Sequence, residues 1–309
     1  MIYTVTLNPA LDKEYRVSEL LPNTILRASA VKIDYGGKGF NIARMLATFG
    51  SDCIVLGFVG GHTGDVLSEG LKGIGITTDF VHVSGETRTN ISAVSDSDDG
   101  YIKINEPGPE VSIKETDELL QKMEALIQPE DWWILAGSLP LGIPVDIYAR
   151  MIRLVNRGGA RAVLDTSGEA LKLGCLAEPF LIKPNLEEIA QISEVEVNNS
   201  IGIGKAITRI HEWGVKNIIL SAGKDKAICS AGMKQWVGIP PKINEMNPIG
   251  AGDAMLAAIV YRLSRNETIR NAFTWGLAAG CAAASLPGTM MPNQSEVERL
   301  LNKVIISEE

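Results

Sequence analysis

The segment from Trp132 to Ser167 contains the repeat that decides the fold. It begins with the apolar run "WWILAG" (Trp132–Gly137), passes through the helical stretch "VDIYARMIRLVNRG" (Val145–Gly158), and returns to an apolar run in "ARAVLDTS" (Ala160–Ser167). Short apolar runs of this length, separated by a helical stretch, are typical of parallel strands that are buried on both faces. The segment therefore predicts a strand, a helix and a second strand parallel to the first.

The same alternation extends through most of the chain. Further apolar runs are "IYTVTL", "DCIVLGFVG", "FLIKPN" and "KNIILSAG", and further helical stretches are "GFNIARMLATFG", "SIKETDELLQKMEALI", "NLEEIAQIS" and "SIGIGKAITRIHEWG". Ser112 and Glu115 have the spacing of a capping box at the start of one of these helices. The pattern predicts an α/β protein whose mostly parallel sheet is covered on both faces, with ligands bound at the carboxyl ends of the strands.

Two segments, approximately 13–35 and 80–105, break this alternation. Both contain consecutive β segments in which apolar and polar residues alternate, and "DSDDG" (Asp96–Gly100) has the composition of a hairpin turn. A small, half-exposed sheet that projects from the main body explains the pattern, and it could act as a lid that excludes water from a site. An ordinary hairpin at the edge of the sheet explains the same pattern.

Composition narrows the class of protein. The chain has 309 residues, of which 45% are hydrophobic, and a net charge of -8, so it can bury a large core in one large domain or two ordinary ones. Scattered charges with an acidic excess disfavour nucleic acid or an anionic membrane as a partner. The four cysteines are far apart and form no CxxC, and the N-terminus has no basic segment of a signal peptide. These features predict a cytoplasmic protein.

The stretch "NPIGAGDAMLAAIVYRL" (Asn247–Leu263) places Gly250, Ala251 and Gly252 directly before Asp253 and a helical run. A helix N-terminus offers unpaired N–H groups, and small residues let a phosphate approach them closely. A carboxylate beside that phosphate can take a proton from an attacking hydroxyl, which is the division of roles found in phosphoryl transfer. A glycine-rich turn that is followed by an acid in the first helical turn would also explain the stretch.

A second glycine cluster lies in "DYGGKGFNIARML" (Asp34–Leu46), again at a predicted helix start. The amide of Asn41, which follows it, suits hydrogen bonds to sugar hydroxyls, and Asp12 would add a carboxylate acceptor. Both side chains could instead cap the local backbone. The sequence contains no GxxxxGK[ST] loop, HExxH helix or GxSxG turn, so it matches none of the enzyme classes that these motifs identify.

Together these motifs resemble the ribokinase-like sugar kinases, the PfkB family. "NPIGAGD" is similar to the family's C-terminal signature and "GGKGFNIA" to its N-terminal one, while "TLNPALD", "AGSLP", "LDTSGEAL", "IKPNLEE" and "LSAG" follow in family order. The resemblance implies one kinase domain over residues 1–309. It also implies a three-layer α/β/α sandwich with a β-sheet lid, ATP and Mg²⁺ as cofactors, and a homodimer formed through the lid.

The resemblance also assigns roles to individual residues. Asp253 would be the general base, and Gly250, Ala251 and Gly252 would form the anion hole. The residues expected to contact the phosphosugar are Asp12, Arg27, Gly37, Lys38, Asn41, Arg88 and Ser138. Those expected on the nucleotide side are Lys183, Asn185, Ser221 and Gly223, with Glu188 ordering the magnesium ion.

Substrate choice depends on finer features. "GGKGxN" together with "GSLP" resembles the phosphosugar branch of the family, and two arginines, Arg27 and Arg88, would suit a phosphate. "TRTNI" (Thr87–Ile91) and "KINEPGPE" (Lys103–Glu110) favour fructose 1-phosphate, which would become fructose 1,6-bisphosphate, whereas "NPIGAGD" leans toward tagatose 6-phosphate. A 6-phosphofructokinase is the third alternative. A protein that senses sugar phosphates or nucleotides without turnover is the alternative from another class.

Overall fold

The computed structural model describes residues 1–98 and 100–308, and its centre is an eleven-stranded sheet. The strands of this sheet are β1 (Ile2–Thr6), β4 (Cys53–Val59), β5 (Thr77–Thr78), β6 (Val81–His82), β9 (Trp132–Ala136), β10 (Arg161–Asp165), β11 (Leu181–Ile182), β12 (Asn217–Ser221), β13 (Ala227–Ala231), β14 (Lys234–Ile239) and β15 (Ile305–Glu308). Their order is β15-β14-β13-β12-β11-β10-β9-β1-β4-β5, and β6 pairs with β4. Pairing is parallel from β5 to β12 and antiparallel from β12 to β15.

Helices cover both faces of this sheet. They are α1 (Lys38–Thr48), α2 (Gly61–Gly73), α3 (Ile113–Leu126), α4 (Ile147–Arg157), α5 (Gly168–Cys175), α6 (Leu186–Ser193), α7 (Ser200–Glu212), α8 (Ala251–Ser264), α9 (Ile269–Ala284) and α10 (Gln294–Leu301). One core contains buried residues of α1, α2, α8, α9 and α10, and the other contains those of α3 to α7. The predicted α/β/α sandwich is confirmed, because strand residues alternate between two separate cores.

The parallel strands end together at one edge of the sheet. Thr6 of β1 is paired with Gly57 of β4 and with Ala136 of β9, and Ala136 is paired in turn with Asp165 of β10. Residues that follow these strands therefore meet at the carboxyl edge, where parallel α/β sheets bind ligands. The capping box predicted at Ser112 and Glu115 begins α3, as expected.

A second sheet of four strands projects from the body in the order β3-β2-β7-β8. Its strands are β2 (Ala10–Val17), β3 (Ala30–Gly36), β7 (Arg88–Ser95) and β8 (Tyr101–Ile104). We name this sheet the lid. Its bounds differ from the predicted segments, because β2 begins at Ala10 and Val81–His82 pairs with β4 of the main sheet. The hairpin predicted at Asp96–Gly100 connects β7 to β8, although Asp99 lies outside the described residues.

Two further properties concern the described residues as a whole. None of their helices has the length and apolar character needed to cross a membrane. All four cysteines are free thiols, and Cys53, Cys175 and Cys229 are buried. Burial raises the pKa of each of these three thiols to about 12, so they stay protonated at neutral pH.

Candidate active site

Asp253 lies in the first turn of α8, at the carboxyl edge of the sheet. The N-cap residue of α8 is Gly250, which has a φ of 84°, a left-handed conformation that glycine adopts without strain. The side chain of Asp253 is buried, and Asn41 Nδ2 donates a hydrogen bond of 2.7 Å to its Oδ2. Burial and the nearby carboxylate of Asp165 raise the pKa of Asp253 to about 6. Such a pKa suits a base that must be ionised at neutral pH yet accept a proton.

A buried carboxylate, Asp165, holds two lysines beside this base. Lys38 Nζ lies 2.8 Å from Asp165 Oδ1, and Lys183 Nζ lies 3.3 Å from Asp165 Oδ2. Burial raises the pKa of Asp165, but the two ammonium groups outweigh it and hold the pKa below its ordinary value. Asp165, Asp253 and Glu188 together raise the pKa of Lys38 against the effect of burial. Both lysines therefore present fixed positive charge to the carboxyl edge.

The start of α8 has room for an anion. The N–H of Ala251 donates to the Pro248 carbonyl, whereas helix geometry leaves the N–H groups of Gly252 and Asp253 without an intrahelical acceptor. A Cβ atom on Gly252 would lie 3.3 Å from Lys183 Nζ, so the ammonium group stands directly over the bare backbone. Backbone donors and a cation thus face the same space, which is favourable for a phosphate.

The lid contributes a row of polar side chains on one of its faces. Asp12 of β2 is paired with Asp34 of β3 and with Asn90 of β7, so the three side chains share that face. Asn90 Nδ2 donates to Asp12 Oδ1 at 2.7 Å. A Cβ on Gly36 would lie 2.2 Å from Asp12 Oδ2, so only glycine leaves room for this carboxylate. Burial raises the pKa of Asp12 above its ordinary value.

Arg88 begins β7 at the joint between the lid and the body. It donates from Nη2 to the Asn8 carbonyl at 2.9 Å and from Nη1 to the Glu106 carbonyl at 3.0 Å. Within the described part of the chain no carboxylate lies within ion-pair distance of Arg88, and its buried Nε has no acceptor. Burial lowers the pKa of Arg88, although Asp12 and Glu106 oppose this effect. The guanidinium group is anchored in place and keeps free donors.

Three other predicted substrate residues differ in their surroundings. Gly37 is the N-cap of α1, with a φ of 143°. Ser138 is exposed in the loop after β9, at the carboxyl edge. Arg27 is exposed in the loop between β2 and β3, and it makes no hydrogen bond or ion pair to any other residue that the structure describes. Contacts within the chain therefore fix Gly37 more firmly than the other two.

Asn185 and Glu188 form a capping box at the start of α6. Asn185 Oδ1 accepts from the Glu188 N–H, and Glu188 Oε2 accepts from the Asn185 N–H, each at 2.8 Å. The N-x-x-E spacing thus has a structural role, since it is also a capping pattern. The other oxygen of the half-buried Glu188 stays outside this pair. Mg²⁺ prefers oxygen ligands and usually takes one or two carboxylates along with substrate phosphates, so the donor set fits this ion.

The remaining predicted residues on the nucleotide side follow β12. Ser221 is bridged to Asn185, and its hydroxyl donates to the Pro184 carbonyl at 3.3 Å. Gly223 has a φ of 81°, and apart from its chain neighbours no described residue has an atom within 4 Å of the place where its Cβ would be. The space beside the backbone at Gly223 is therefore open, next to the start of α6.

Four residues of this constellation had no role in the sequence-based prediction: Asp165, Arg44, Asp34 and Asn90. Asp165 stands in "LDTSGEAL", where an acid directly after an apolar strand was a usable signal. Arg44 follows Asn41 by three residues on α1, which places both on one helix face. Asp34 and Asn90 depend on strand pairing, for which the sequence offers no register.

Comparisons with known proteins agree with this arrangement. The model of the pfkB family carbohydrate kinases matches residues 6–296. The chain is 32% identical over 309 residues to the 1-phosphofructokinase of Borreliella burgdorferi, which covers 100% of this chain and 99% of that protein. It is 31% identical to the tagatose-6-phosphate kinase of Staphylococcus epidermidis, with 100% of both chains covered.

Solved structures give the same result. The phosphofructokinase-2 of Escherichia coli in complex with potassium has a TM-score of 0.93 at 26% identity, over 98% of each chain. A structure described as the tetrameric inhibited form of that protein has a TM-score of 0.90 at 26% identity, again over 98% of each chain. The chain belongs to the pfkB family of carbohydrate kinases.

Proposed function

We propose that this protein transfers the γ-phosphoryl group of ATP to the 6-hydroxyl of fructose 1-phosphate, within a single kinase domain over residues 1–309. The observation that carries the proposal is the position of Asp253. Its buried carboxylate stands beside the open N-terminus of α8, where backbone donors and the cation of Lys183 face one space. A base and an anion hole in that relation are the two parts that phosphoryl transfer needs.

The chemistry follows from those parts. The 6-hydroxyl gives its proton to the Asp253 carboxylate as its oxygen forms a bond to the γ-phosphorus. The bond between that phosphorus and the β,γ-bridging oxygen breaks, and ADP leaves with the electron pair. Within the anion hole of Gly250, Ala251 and Gly252, the N–H of Gly252 has no intrahelical acceptor and would receive the charge that develops on the transferred group, with Lys38 and Lys183 beside it. Burial keeps water from competing with the sugar hydroxyl.

ATP would lie on the side of Lys183, Asn185, Ser221 and Gly223, where the open backbone at Gly223 leaves room. When bound, Mg²⁺ would neutralise phosphate charge, and Glu188 would hold it together with the phosphates and water. Exchange of Glu188 for Gln tests this assignment, because the concentration of Mg²⁺ that gives half-maximal rate should rise. If the variant unfolds like the unmodified protein and needs the same concentration of Mg²⁺ for half-maximal rate, Glu188 does not hold the ion.

The phosphosugar would lie under the lid. Asp12 and Asn41 would form hydrogen bonds with the hydroxyl groups of the phosphosugar. Gly37 and Ser138 would lie beside them. Arg88 supports a phosphorylated substrate, because an anchored guanidinium without a carboxylate partner suits a phosphate. Arg27 would add charge to the same anion when the lid loop closes, whereas Lys38, which Asp165 holds near Asp253, would contact the end of the phosphosugar that receives the phosphoryl group.

The choice of fructose 1-phosphate rests on the residues around Arg88 in "TRTNI" and "KINEPGPE". A steady-state panel with ATP and Mg²⁺ tests it, with fructose 1-phosphate, tagatose 6-phosphate, fructose 6-phosphate, fructose and ribose as acceptors. The highest kcat/KM should belong to fructose 1-phosphate. A preference of about ten-fold or more for tagatose 6-phosphate, roughly 1.4 kcal/mol of transition-state binding, would replace this substrate. Best turnover of a free sugar would reject the phosphosugar assignment.

Exchange of Asp253 for Asn tests the base. The substitution keeps the shape of the side chain and removes its basicity, so kcat should fall by about 10²–10⁴, while ATP still binds. Exchange of the exposed Asp52 for Asn serves as the matched control and should leave kcat unchanged. Near wild-type turnover of the Asp253 variant would contradict the role. Binding of phosphosugar and ATP without turnover by the unmodified protein would favour the sensing alternative.

We further propose a homodimer formed through the lid. The face opposite Asp12 carries exposed apolar side chains in two adjacent rows, namely Val31, Ile33, Ile91, Ile102 and Ile104, which are 38–59% exposed. An exposed apolar face of this kind, in which among the described residues only Lys13 between Ile33 and Ile91 is charged, marks an interaction site. The related E. coli phosphofructokinase-2, described as tetrameric, makes a second copy the natural partner.

Sedimentation velocity tests this assembly. Exchange of Ile33 and Ile104 for Glu should convert the dimer to monomer, whereas exchange of the exposed Met233 for Glu should not. A monomeric unmodified protein would reject the assembly. We place the protein in the cytoplasm, because four free thiols suit a reducing compartment.

A further inference from the structure

A line of side chains connects the lid to the candidate base. Asn41 Nδ2 donates to Asp253 Oδ2 at 2.7 Å, and Arg44 Nη2 donates to the other atom of the same amide, Asn41 Oδ1. Arg44 Nη1 in turn donates to Asp34 Oδ1 at 3.4 Å. Asp34 belongs to strand β3 of the lid, whereas Arg44 and Asn41 belong to helix α1 of the body. The line therefore crosses the joint between the two parts.

The amide of Asn41 needs such a partner to be oriented. Its oxygen and nitrogen ends have nearly the same shape, so packing alone does not choose between two orientations that differ by a half-turn. A guanidinium group only donates, and its presence requires the amide oxygen to face Arg44. The amide nitrogen must then face Asp253. Without Arg44 nothing holds the oxygen end of the amide, so the amide could turn and accept a hydrogen bond from Asp253 whenever that carboxyl is protonated, which would favour the form that cannot act as a base.

Arg44 is itself held from the lid. Asp34 Oδ2 accepts from Thr289 Oγ1 at 2.7 Å and lies 2.8 Å from Lys32 Nζ, so the carboxylate is fixed on its far side. The side chain of Arg44 is only 14% exposed, and its Nε has no acceptor among the described residues. Its two terminal nitrogens therefore carry all of its directional contacts, one to the lid and one to Asn41.

We propose that Arg44 is a positioning residue for phosphoryl transfer: held by Asp34 of the lid, it fixes the amide of Asn41 so that this amide orients the carboxylate of Asp253. The inference rests on the proposed role of Asp253 as the base. It adds that the position of the lid controls the readiness of the base. A lid that moves away takes Asp34 with it, and Arg44 loses the partner that holds its guanidinium group against the amide of Asn41.

Steady-state kinetics of Arg44→Ala, Arg44→Lys and Asp34→Asn test the proposal. We expect kcat to fall about 10- to 100-fold in Arg44→Ala, because a misplaced base loses part of its contribution, while the KM for ATP stays within about two-fold. Arg44→Lys keeps the charge but cannot reach both partners, so it should lose nearly as much. Arg209→Ala, an exposed arginine on α7, is the matched control and should keep wild-type kcat.

The pH profile provides a readout that a merely structural role would not move. Asp253 is faced by Lys38 and Asn41 from α1, by Asp165 at the end of β10 and by Lys183 after β11, and Asp12, Asp34 and Lys32 surround Arg44 from the lid. Apart from the amide of Asn41, which loses its contact with Arg44, these groups stay in place in Arg44→Ala. Loss of the oriented amide donor and of the guanidinium charge should move the acid limb of kcat/KM upward by about 0.5–1 pH unit.

Chemical rescue gives a second readout. Arg44, Asp34 and Thr289 line a surface pocket of 460 Å³, which lets a small cation reach the vacated site. Guanidinium chloride, below concentrations that unfold the protein, should restore part of kcat in Arg44→Ala, and sodium chloride at equal ionic strength should not. An Arg44→Ala variant with wild-type kcat and an unmoved acid limb would overturn the proposal. So would a loss of kcat without any rescue or shift.

A double-mutant cycle separates this proposal from the assignment of the base. If Arg44 and Asp34 act in one line, the loss in Arg44→Ala/Asp34→Asn should be no larger than the greater single loss, whereas independent residues would give additive losses. Asp253→Asn is measured in parallel. If Asp253→Asn is inactive and the Arg44 variants are normal, only the positioning role fails. If Asp253→Asn is active, the base assignment fails first. Should Arg44→Ala not fold, Arg44→Lys and Asp34→Asn decide.

Discussion

Lys38 Nζ lies 2.8 Å from Asp165 Oδ1, and the carboxylate of Asp165 is completely buried. Lys183 Nζ lies 3.3 Å from the other oxygen of the same carboxylate, so one anion holds two cations in place. The two lysines and the two carboxylates of Asp165 and Asp253 balance in charge. Both cations are therefore held in place before a nucleotide enters, and Lys183 Nζ lies at the start of α8, beside Gly252.

Exchange of Asp165 for Asn should therefore lower both the free energy of unfolding and the catalytic rate. Lys183, with a side chain only 9% exposed, would keep its charge without a counter-ion. Removal of one partner from a buried ion pair costs about 3–5 kcal/mol, and we expect the lower end because Lys38 is 39% exposed. Urea unfolding measures the change. Asp79, exposed and paired with Lys122, is the control, since its exchange for Asn should cost less than about 1 kcal/mol.

The dependence of the reaction rate on pH should follow the ionisation of the Asp253 carboxyl group. Burial and Asp165 raise its pKa to about 6, and a general base works only when it is ionised. We expect kcat/KM to fall about ten-fold per pH unit below pH 6 and to level off above it. Initial rates between pH 4.5 and 8, at constant ionic strength and with excess Mg²⁺, measure the limb. A flat profile through pH 5 would contradict the assignment.

The same shift predicts that Asp253→Asn makes the protein more stable at pH 8. An ionised Asp253 is disfavoured in the fold, because its folded pKa of about 6 exceeds its ordinary value of 3.8. The cost is complete above about pH 6 and vanishes below about pH 4, where both states are protonated. Asn removes it, so the free energy of unfolding should rise on the order of 3 kcal/mol at pH 8.

Urea unfolding of both proteins at several pH values checks this prediction. The two unfolding curves should converge between pH 6 and pH 4, because the unmodified protein loses its penalty as Asp253 gains a proton. A stability difference that is independent of pH would indicate a change in packing instead. An Asn variant less stable than the unmodified protein at pH 8 would contradict the pKa on which the prediction rests.

The sequence predicted the body of this fold well because its signals are local. Apolar runs such as Trp132–Gly137 and Ala160–Ser167 are each bounded by helical stretches, so periodicity alone identified them. Strands β13 to β15 were not predicted. They pair antiparallel, and Trp236 of β14 is paired with Glu308 near the C-terminus, a partnership between distant segments that leaves no local pattern.

The candidate site shows the same contrast between residues that local sequence patterns identify and contacts between distant segments. Asn41 and Asp253 were both predicted as site residues, but their hydrogen bond joins positions 212 apart in sequence. The prediction gave Asn41 a sugar-binding role; in the structure its amide also contacts Asp253 and Arg44, which leaves its second N–H for a sugar hydroxyl. Asp165 lies 127 positions from Lys38. Only tertiary structure shows that these residues share one charge cluster.

Mutation of Arg88 and of Arg27 should have different effects on stability, although both residues were predicted to bind the phosphate of the sugar. Arg88→Ala removes two hydrogen bonds to main-chain carbonyls, so it should cost about 1–3 kcal/mol of stability and raise the KM for the phosphosugar far more than that for ATP. Arg27→Ala should leave stability unchanged and raise only the KM for the phosphosugar. Equal effects of Arg88→Ala on both KM values would indicate a structural role alone.

Gly252→Ala tests the anion hole with a single methyl group. The added Cβ would lie 3.3 Å from Lys183 Nζ, in the space proposed for the transferred phosphoryl group. Gly252 is in helix α8 without a positive φ, so alanine suits the backbone and should not destabilise the helix. We expect kcat to fall at least about ten-fold, because the phosphate can no longer approach the N–H groups closely. The free energy of unfolding should change by less than about 1 kcal/mol, because the helix favours alanine whereas the close contact with Lys183 Nζ opposes it.

Gly204→Ala provides the matched control. Gly204 is in helix α7, also without a positive φ, and outside its own helix backbone and chain neighbours no residue in the described ranges has an atom within 4 Å of the place where its Cβ would be. The exchange should stabilise the protein by about 0.5–1 kcal/mol and leave kcat unchanged. Initial rates and thermal unfolding of both variants give the comparison. If Gly252→Ala keeps wild-type kcat while it unfolds normally, a phosphate does not approach this backbone, and the transferred group must bind elsewhere along the carboxyl edge.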